Sequence, residues 1–438
     1  MKILKPRGGV HPKEMKELTS DKNIEVMPDL KEYKVSLHQH IGVPAFPMVS
    51  VGDYVMAGQE IGKCTAMLSV AVHSPVSGYI KDIVKENNET FIIVENDFEN
   101  NWVDLKPWYD TNLFVGKTST KFVTFIREMG ICGLGGAMFP THMKFQADEY
   151  EKIHTVIING AECEPYLNSD NRIMVEKTSE IMIILNRLFD FMNINKVIIA
   201  VEDNKKEAIE KIRKFLDDSG KIELAVLESV YPQGGEKQII KSLMGIEVPV
   251  HKIPMEYGMA VINVGTLYAL YEGMYRGKPL IERVVTVSGL GIKEPKNILA
   301  KIGTPIKDIL DYAGIDRSKT YKVILGGPMM GRTIGDEKEN LKKGTGGILA
   351  LLKDECNEYE TKACINCGAC VDVCPMGLMP LRYVELARKG DYSRMEKRYS
   401  LSSCIKCGCC EYACPTKRPI IKSIFLGLKK LKEEKNGL

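Results

Sequence analysis

The sequence lacks a surplus of charge of either sign. Lys and Arg number 60, Asp and Glu 57, a net of +3 over 438 residues. Such a balance leaves no electrostatic footprint for nucleic acid. Long apolar runs are also missing. The best candidate for a membrane span, residues 181–201, is broken by Arg187, Asp190 and Lys196. It reads as a helix followed by a strand. No apolar run follows Met1-Lys2, so no secretory signal is expected. What remains is 44% apolar and 27% charged, an ordinary globular composition. It excludes a disordered chain, a collagen-like fibre and an integral membrane protein. The length suggests about three domains of roughly 150 residues.

What the chain does have is cysteine, 13 in all. Cys64, Cys132, Cys163 and Cys356 are scattered. The other nine fall between Cys364 and Cys414. Without an export signal the expected compartment is reducing, where clustered cysteines bind metal or do redox chemistry. The window reads Cys364-Ile-Asn-Cys367-Gly-Ala-Cys370-Val-Asp-Val-Cys374-Pro375. It repeats as Cys404-Ile-Lys-Cys407-Gly-Cys-Cys410-Glu-Tyr-Ala-Cys414-Pro415. Both are C-x2-C-x2-C-x3-C-P. The first three cysteines of such a run wrap one 4Fe–4S cubane, and the fourth ligates the partner cluster. The expected sets are therefore Cys364, Cys367, Cys370 and Cys414 for one cluster, and Cys404, Cys407, Cys410 and Cys374 for the other. Zinc also uses C-x2-C, but it has no use for a third cysteine plus C-P in duplicate. Gly368 and Gly408 sit at matching places, where glycine lets the backbone curl and aim N–H groups at sulfur. Cys409 has Ala369 as its counterpart and reads as a bystander thiol. Two linked clusters imply one-electron transfer through the protein.

The first hundred residues read as β-structure. Val51 to Gly62 alternates apolar and polar residues around glycines, and His73-Ser74-Pro75-Val76-Ser77-Gly78-Tyr79-Ile80 follows. The pattern resembles the barrel-sandwich fold of biotinyl and lipoyl carrier domains. Its hairpin tip reads Thr65-Ala66-Met67-Leu68-Ser69 and has no lysine to modify. That argues against a carrier role and leaves a structural or docking module. From about 118 to 280 helix and strand patterns alternate. Val156-Ile157-Ile158 and Val197-Ile198-Ile199-Ala200-Val201 are short β-branched runs. Ile209, Ile212 and Leu216 mark one face of a helix before the Ile222–Val226 strand. Such units argue for an α/β fold with a parallel sheet. Arg283 to Gly289 reads as strand and turn, Thr304-Pro305 as a helix start, and Val323-Ile324-Leu325 as another strand.

A glycine-rich loop, Gly133-Leu134-Gly135-Gly136-Ala137-Met138-Phe139-Pro140-Thr141-His142-Met143-Lys144, lies in the α/β region. Glycines let a backbone approach a phosphate. The loop has neither G-x-G-x-x-G spacing nor a Walker pattern, so from the residues alone a structural turn stays open.

This loop resembles the G-R-G-G-A-G-F-P-T-G-L-K loop of the NADH-oxidising flavoprotein subunit of respiratory complex I, with Leu134, Met138 and His142 as departures. Asn159-Gly160-Ala161-Glu162-Cys163-Glu164-Pro165 resembles that family's N-A-D-E-S-E-P, with Ala161 for aspartate. Tyr231 to Gln238 is similar to a glycine-glutamate segment beside the flavin. Ile262-Asn263-Val264-Gly265-Thr266-Leu267 resembles N-N-V-E-T-L near the flavin phosphate. The resemblance implies FMN as cofactor and NADH as substrate. It implies cofactor contacts from Gly133, Gly135, Gly136, Lys144, Asn159, Glu162, Glu164, Gly234, Gly235, Glu236, Asn263 and Thr266. Lys144 would face an anionic group of the cofactor. Glu162 and Glu164 would meet ribose hydroxyls or shape the nicotinamide pocket, with a helix-cap or surface role as the alternative.

The full order of parts is narrower than complex I. With Gly8-Gly9-Val10-His11-Pro12 and Gly326-Gly327-Pro328-Met329-Met330-Gly331, it resembles the RnfC family of the Rnf electron-transport complex over essentially the whole chain. The resemblance implies a multidomain α/β and α+β architecture. A barrel-sandwich domain without carrier lysine would span 1–110, and a Rossmann-like FMN/NADH domain with a parallel sheet 111–280. A β-grasp, SLBB-like module would span 281–352, and an α-helical tandem ferredoxin domain with a C-terminal helix 353–438. Its implied function is NADH oxidation through FMN and two 4Fe–4S clusters. The exchange would be with ferredoxin, coupled to ion translocation, by other subunits of a membrane complex. The chain would sit peripherally on the cytoplasmic face of the membrane. The basic, apolar-faced tail from Ile420 to Leu431 is expected to cap the ferredoxin module, with docking as the alternative. Two rivals stay open. One is a soluble cobalamin reductase of bacterial microcompartments. The other is a wiring subunit with a degenerate flavin site.

Overall fold

The structure, a computed structural model, describes residues 6–108, 119–146, 153–191, 194–356 and 360–435. The expected boundary at 110–111 lies outside the described residues.

Alternation of apolar and polar side chains builds the N-terminal sandwich. Along Glu89–Asn96 the side chains of Ile92, Val94 and Asn96 turn inward while their neighbours stay part-exposed. That strand is paired in a four-stranded sheet with Glu32–Ser36, Gly78–Glu86 and Tyr54–Val55. A three-stranded sheet of Phe46–Pro47, Glu60–Lys63 and Val72–His73 faces it. Tyr33, Val35, Ile61, Val72, Ile80 and Ile92 fill the space between. The first strand, Ile24–Val26, joins neither barrel sheet. It pairs in parallel with Lys296–Lys301 of the third module.

The second module is doubly wound. Its strands lie in the order Ile222–Leu227, Lys196–Glu202, Thr155–Gly160 and Met259–Asn263. All neighbours are parallel. β-Branched residues fill both faces, as a sheet buried on two sides requires. Val156 and Ile158 pack on one face with Ile184, Leu188, Ile212 and Leu267. Ile157 packs on the other with Ile239, Ile240 and Leu243. From Thr155–Gly160 the chain winds outward through two strands. It then returns to the opposite side as Met259–Asn263. The order therefore reverses between Gly160 and Asn263, which is where open α/β sheets leave a crevice for ligands.

The third module is a six-stranded mixed sheet covered by helix Ile306–Tyr312, with Val285, Val287, Ile298, Ile309 and Leu310 in its core. The fourth is helical and carries the cysteine repeats. Gly368 and Gly408 cap the matching short helices Ala369–Asp372 and Cys409–Tyr412 with φ of 83° and 82°, a backbone region that glycine enters without strain. The last helix, Ile420–Lys435, buries Ile420 and Ile424 in this module's core while Phe425 stays exposed. That is a capping arrangement.

Candidate flavin crevice and cysteine cages

The cysteines fall into two cavities. One is lined by Cys364, Cys367, Cys370 and Cys414. The other is lined by Cys374, Cys404, Cys407 and Cys410, with Cys409 on its wall. The fourth cysteine of each run thus crosses to the cavity of the other repeat. Among the described residues no three of His, Cys, Asp or Glu converge on a point that one metal ion could fill. A cubane spreads its thiolates over its corners, and the four cysteines at each cavity supply one for each corner. Backbone amides already point at sulfur, from Leu378 to Cys374 at 3.3 Å, Lys406 to Cys404 at 3.3 Å and Arg418 to Cys414 at 3.4 Å. Such donors tune a bound cluster.

The two cages differ in surroundings. Leu378, Tyr383, Ile421 and Ile424 wall the second, and Cys374, Cys407 and Cys410 are buried. Cys364 and Cys367 of the first are exposed, and Arg382, Glu385, Arg388 and Lys389 rim it. The buried cage abuts the flavin-type domain. Tyr231 Oη donates to the Cys407 carbonyl at 2.8 Å. Cys409, fully buried, turns its Sγ to the Tyr231 carbonyl at 3.7 Å. Val10, Cys163 and Met329 complete this apolar seam.

At the switch point the predicted loops meet. Gly135 lies against Asn263, since a Cβ there would stand 3.3 Å from the Asn263 Cβ. Leu134 N donates to Thr266 Oγ1 at 2.9 Å. Asn263 caps helix Val264–Arg276 by accepting from Gly265 N and Thr266 N. Asn159 Nδ2 donates to the Gly234 carbonyl at 2.8 Å. Gly234 is dictated by a close approach, because a Cβ would meet the Ala161 oxygen at 2.2 Å. Gly235 precedes helix Glu236–Met244. Lys144 Nζ donates to Glu236 Oε1 at 2.8 Å and to the Val261 carbonyl at 2.7 Å. Gly133 donates its amide to the Phe139 carbonyl and closes the loop.

Glu162 and Glu164 each hold backbone amides, the helix-cap alternative expected of them. The Glu162 carboxylate accepts from Ser169 Oγ, Asp170 N and Asn171 N at 3.0–3.2 Å and caps helix Ser169–Glu176. That of Glu164 accepts from Met329 N and Met330 N at 3.1 and 2.9 Å. It fixes the Gly326–Gly331 turn, whose Met329 carbonyl lies 3.0 Å from where a Gly408 side chain would begin. Burial pushes the Glu164 carboxyl up to about 7. Burial and the nearby Glu162 charge push Asp170, the acceptor for Asn263 Nδ2, to about 7 as well.

Three site residues carried no sequence signal. Lys16 is buried, and its Nζ donates to the carbonyls of Glu162, Glu164 and Leu167 at 2.8, 2.8 and 2.6 Å. Arg283, also buried, donates to the Leu134 carbonyl at 3.3 Å and to the Lys343 carbonyl. Lys343, 1% exposed, donates to the Gly130 and Ala71 carbonyls at 2.7 and 3.3 Å.

These residues fit an anionic group at the glycine loop. Two buried cations stand behind it. A Cβ on Gly136 would meet nothing within 4 Å. Among the described residues no protein acceptor takes the amides of Gly135, Gly136 and Ala137. The start of helix Val264–Arg276 adds its dipole beside Gly135.

Burial lowers Lys343 from 10.5 to about 8. The folded state then releases the proton while the unfolded chain still holds it. Stability should therefore rise with pH across about 8 to 10. Urea midpoints of the parent minus those of Lys343→Met, taken across that range, are expected to climb. A flat difference would contradict the buried charge.

A wide groove lies elsewhere, between the sandwich and the third module, lined by Lys34, Arg317 and Glu337 among others. Its Arg317 is paired with Glu337 and its Lys34 with Glu86, as in a seam between modules.

Comparison with known proteins follows this division. Residues 4–99 match the RnfC barrel sandwich hybrid domain. Residues 126–272 match the Nuo51 FMN-binding domain. Residues 284–333 match the SLBB domain and 363–418 the 4Fe-4S dicluster domain. The C subunit of the proton-translocating ferredoxin:NAD(+) oxidoreductase complex of Clostridium ljungdahlii is 40% identical over 95% of this chain and 92% of its own. The C subunit of the Na(+)-translocating ferredoxin:NAD(+) oxidoreductase complex of Acetobacterium woodii is 35% identical over 89% of each. The C subunit of the ion-translocating oxidoreductase complex of Haemophilus influenzae is 38% identical over 89% of this chain, which spans about half of that relative, 48%. In fold alone, 70% of the chain superposes on 63% of a chain of an NAD+-reducing [NiFe]-hydrogenase with a TM-score of 0.50 and 16% identity. Cysteine cavities that exchange their fourth residue, glycine-rich loops that meet at the sheet's switch point, and relatives aligned nearly end to end agree: the chain belongs to the RnfC family, the C subunits of ion-translocating oxidoreductase complexes.

Proposed function

We propose that the chain is the electron-input subunit of a membrane-bound ferredoxin:NAD oxidoreductase complex and that it exchanges electrons with NADH. The reading rests on one juxtaposition. The segment Tyr231–Glu236, tied at Gly234 to Asn159 at the switch point, also reaches the buried cysteine cage, where Tyr231 Oη donates to the Cys407 carbonyl. FMN, when bound, exchanges a hydride with nicotinamide and passes electrons singly to one-electron carriers. The Gly133–Met138 loop would hold its phosphate with backbone amides, backed by Arg283 and Lys343. Asn159 and Gly234 tie the two crevice loops together. Asn263 and Thr266 anchor the glycine loop to the helix start. The Lys144–Glu236 pair sits on the Val261 side of the crevice. Glu162 and Glu164 act as posts. One fixes the helix behind the crevice and the other fixes the turn that touches the buried cage.

The cage of Cys374, Cys404, Cys407 and Cys410 then stands on the flavin side. The cage of Cys364, Cys367, Cys370 and Cys414 stands on the solvent side, toward a neighbouring protein of the complex. No described helix is long and apolar enough to cross a membrane, and we place the chain peripherally, on the cytoplasmic face. Ferredoxin and the ion-translocating step belong to other subunits in this reading. The purified chain should reduce ferricyanide with NADH. Failure of that reaction in flavin-replete protein would contradict an input role and favour a wiring subunit.

A further inference from the structure

The lysine-free hairpin tip Thr65–Ser69 is not idle. His142 Nε2 donates to the Met67 carbonyl at 2.9 Å. Arg127 Nη2 donates to the Ala66 carbonyl at 2.7 Å, and its Nε to that of Ser69 at 3.3 Å. Ile41 N, which is followed by a close contact between Gly42 and Leu68, donates to the Met138 carbonyl at 2.9 Å. On the other flank Cys132 Sγ turns to the Gln39 carbonyl at 3.5 Å, and Lys343 bridges Gly130 to Ala71. The glycine loop is thus pinned to the barrel sandwich on both sides, at 130–132 and at 138–142. Its middle, Gly135 to Ala137, is left open.

Two departures from the related loop now have a use. Met138 holds a left-handed backbone, φ 50°, where the related loop has glycine. That conformation carries strain, and the Met138 side chain lies against Gly344, its Sδ 2.4 Å from where a side chain there would begin. His142, also in place of a glycine, supplies the bond to the tip. His142 is 2% exposed, and burial holds its imidazole below the usual histidine range. It is therefore a neutral donor at Nε2.

We propose that the hairpin tip, where a carrier domain would present its modified lysine, is here a fixed clamp that preorganises the Gly133–Met138 loop for the phosphate of the flavin. His142 and Arg127 are its positioning residues. The proposal rests on the reading of the loop as the phosphate site. Preorganisation matters because three open amides bind an anion well only if their directions are already set.

The test uses the full chain, stripped of flavin and titrated with FMN and, separately, with riboflavin. His142→Ala should weaken FMN binding by about fivefold, the change one hydrogen bond of this kind produces. Adding Arg127→Met should weaken it by tenfold or more. His142→Gln, which keeps a donor, should recover most of the loss. Riboflavin, which has no phosphate, should bind all variants alike. General loosening would lower both ligands together, and that result overturns the clamp. So does equal FMN affinity across all variants. A parent chain that takes up no FMN overturns the loop reading itself and the clamp with it.

Discussion

Replacing Cys414 by serine is expected to empty the cage of Cys364, Cys367 and Cys370, and to spare the cage of its own near neighbours Cys404, Cys407 and Cys410. Iron should fall from about eight atoms per chain to about four. The surviving cluster should be the buried one, walled by Leu378, Tyr383, Ile421 and Ile424. Cys374→Ser should give the mirror result. Cys409→Ser should keep about eight irons, because Cys409 faces the Tyr231 carbonyl and stands outside the ligand spacing. Iron analysis with electron paramagnetic resonance of the reduced protein separates the cases. If Cys414→Ser removed the cluster of Cys404, Cys407 and Cys410 instead, the exchanged ligation would be wrong.

The second large effect is expected at Lys16. All three of its protons are used, on the carbonyls of Glu162, Glu164 and Leu167. A methionine of similar length would leave those carbonyls without donors. Each buried acceptor left unpaired costs about 1–3 kcal/mol, so Lys16→Met should destabilise the fold by roughly 3 kcal/mol or more. The loss should be local in its consequences. The segment from Asn159 to Leu167 carries the post at Glu162, the post at Glu164 and the tie from Asn159 to Gly234. FMN should therefore be lost from the purified variant while about eight irons stay. Flavin release together with intact cluster spectra would bear this out. A variant with parental flavin content and parental urea midpoint would refute it.

The two effects differ in how far the sequence foreshadows them. Cluster ligands are legible because a cubane is wrapped by residues a few positions apart, so the chemistry is written as spacing. The exchange of the fourth cysteine follows from the same local limit. The parallel sheet is legible because strands buried on both faces become runs such as Val197–Val201. Lys16 is not legible. It sits in a charged stretch, Lys13-Glu14-Met15-Lys16-Glu17, and its partners lie some 150 residues on. Arg283 and Lys343 are hidden for the same reason, since the carbonyls of Leu134, Gly130 and Ala71 that they reach lie in other modules. The acids that follow Asn159 carry two readings in the sequence. A carboxylate beside a crevice serves a helix N-terminus as well as it serves a ribose, and Glu162 and Glu164 both ended on backbone amides. Met138 and His142 look like decay of a flavin loop until the barrel sandwich is seen against them.

In the proposed function nicotinamide electrons enter this chain at a flavin and reach its clusters. Anaerobic purification with iron, sulfide and released-flavin analysis, followed by titration with NADH, tests it most directly. About eight irons and one FMN per chain are expected, with NADH bleaching the flavin absorbance. Eight irons with no flavin and no response to NADH would contradict it. The chain would then be a wire between subunits, and its crevice a remnant of shared fold.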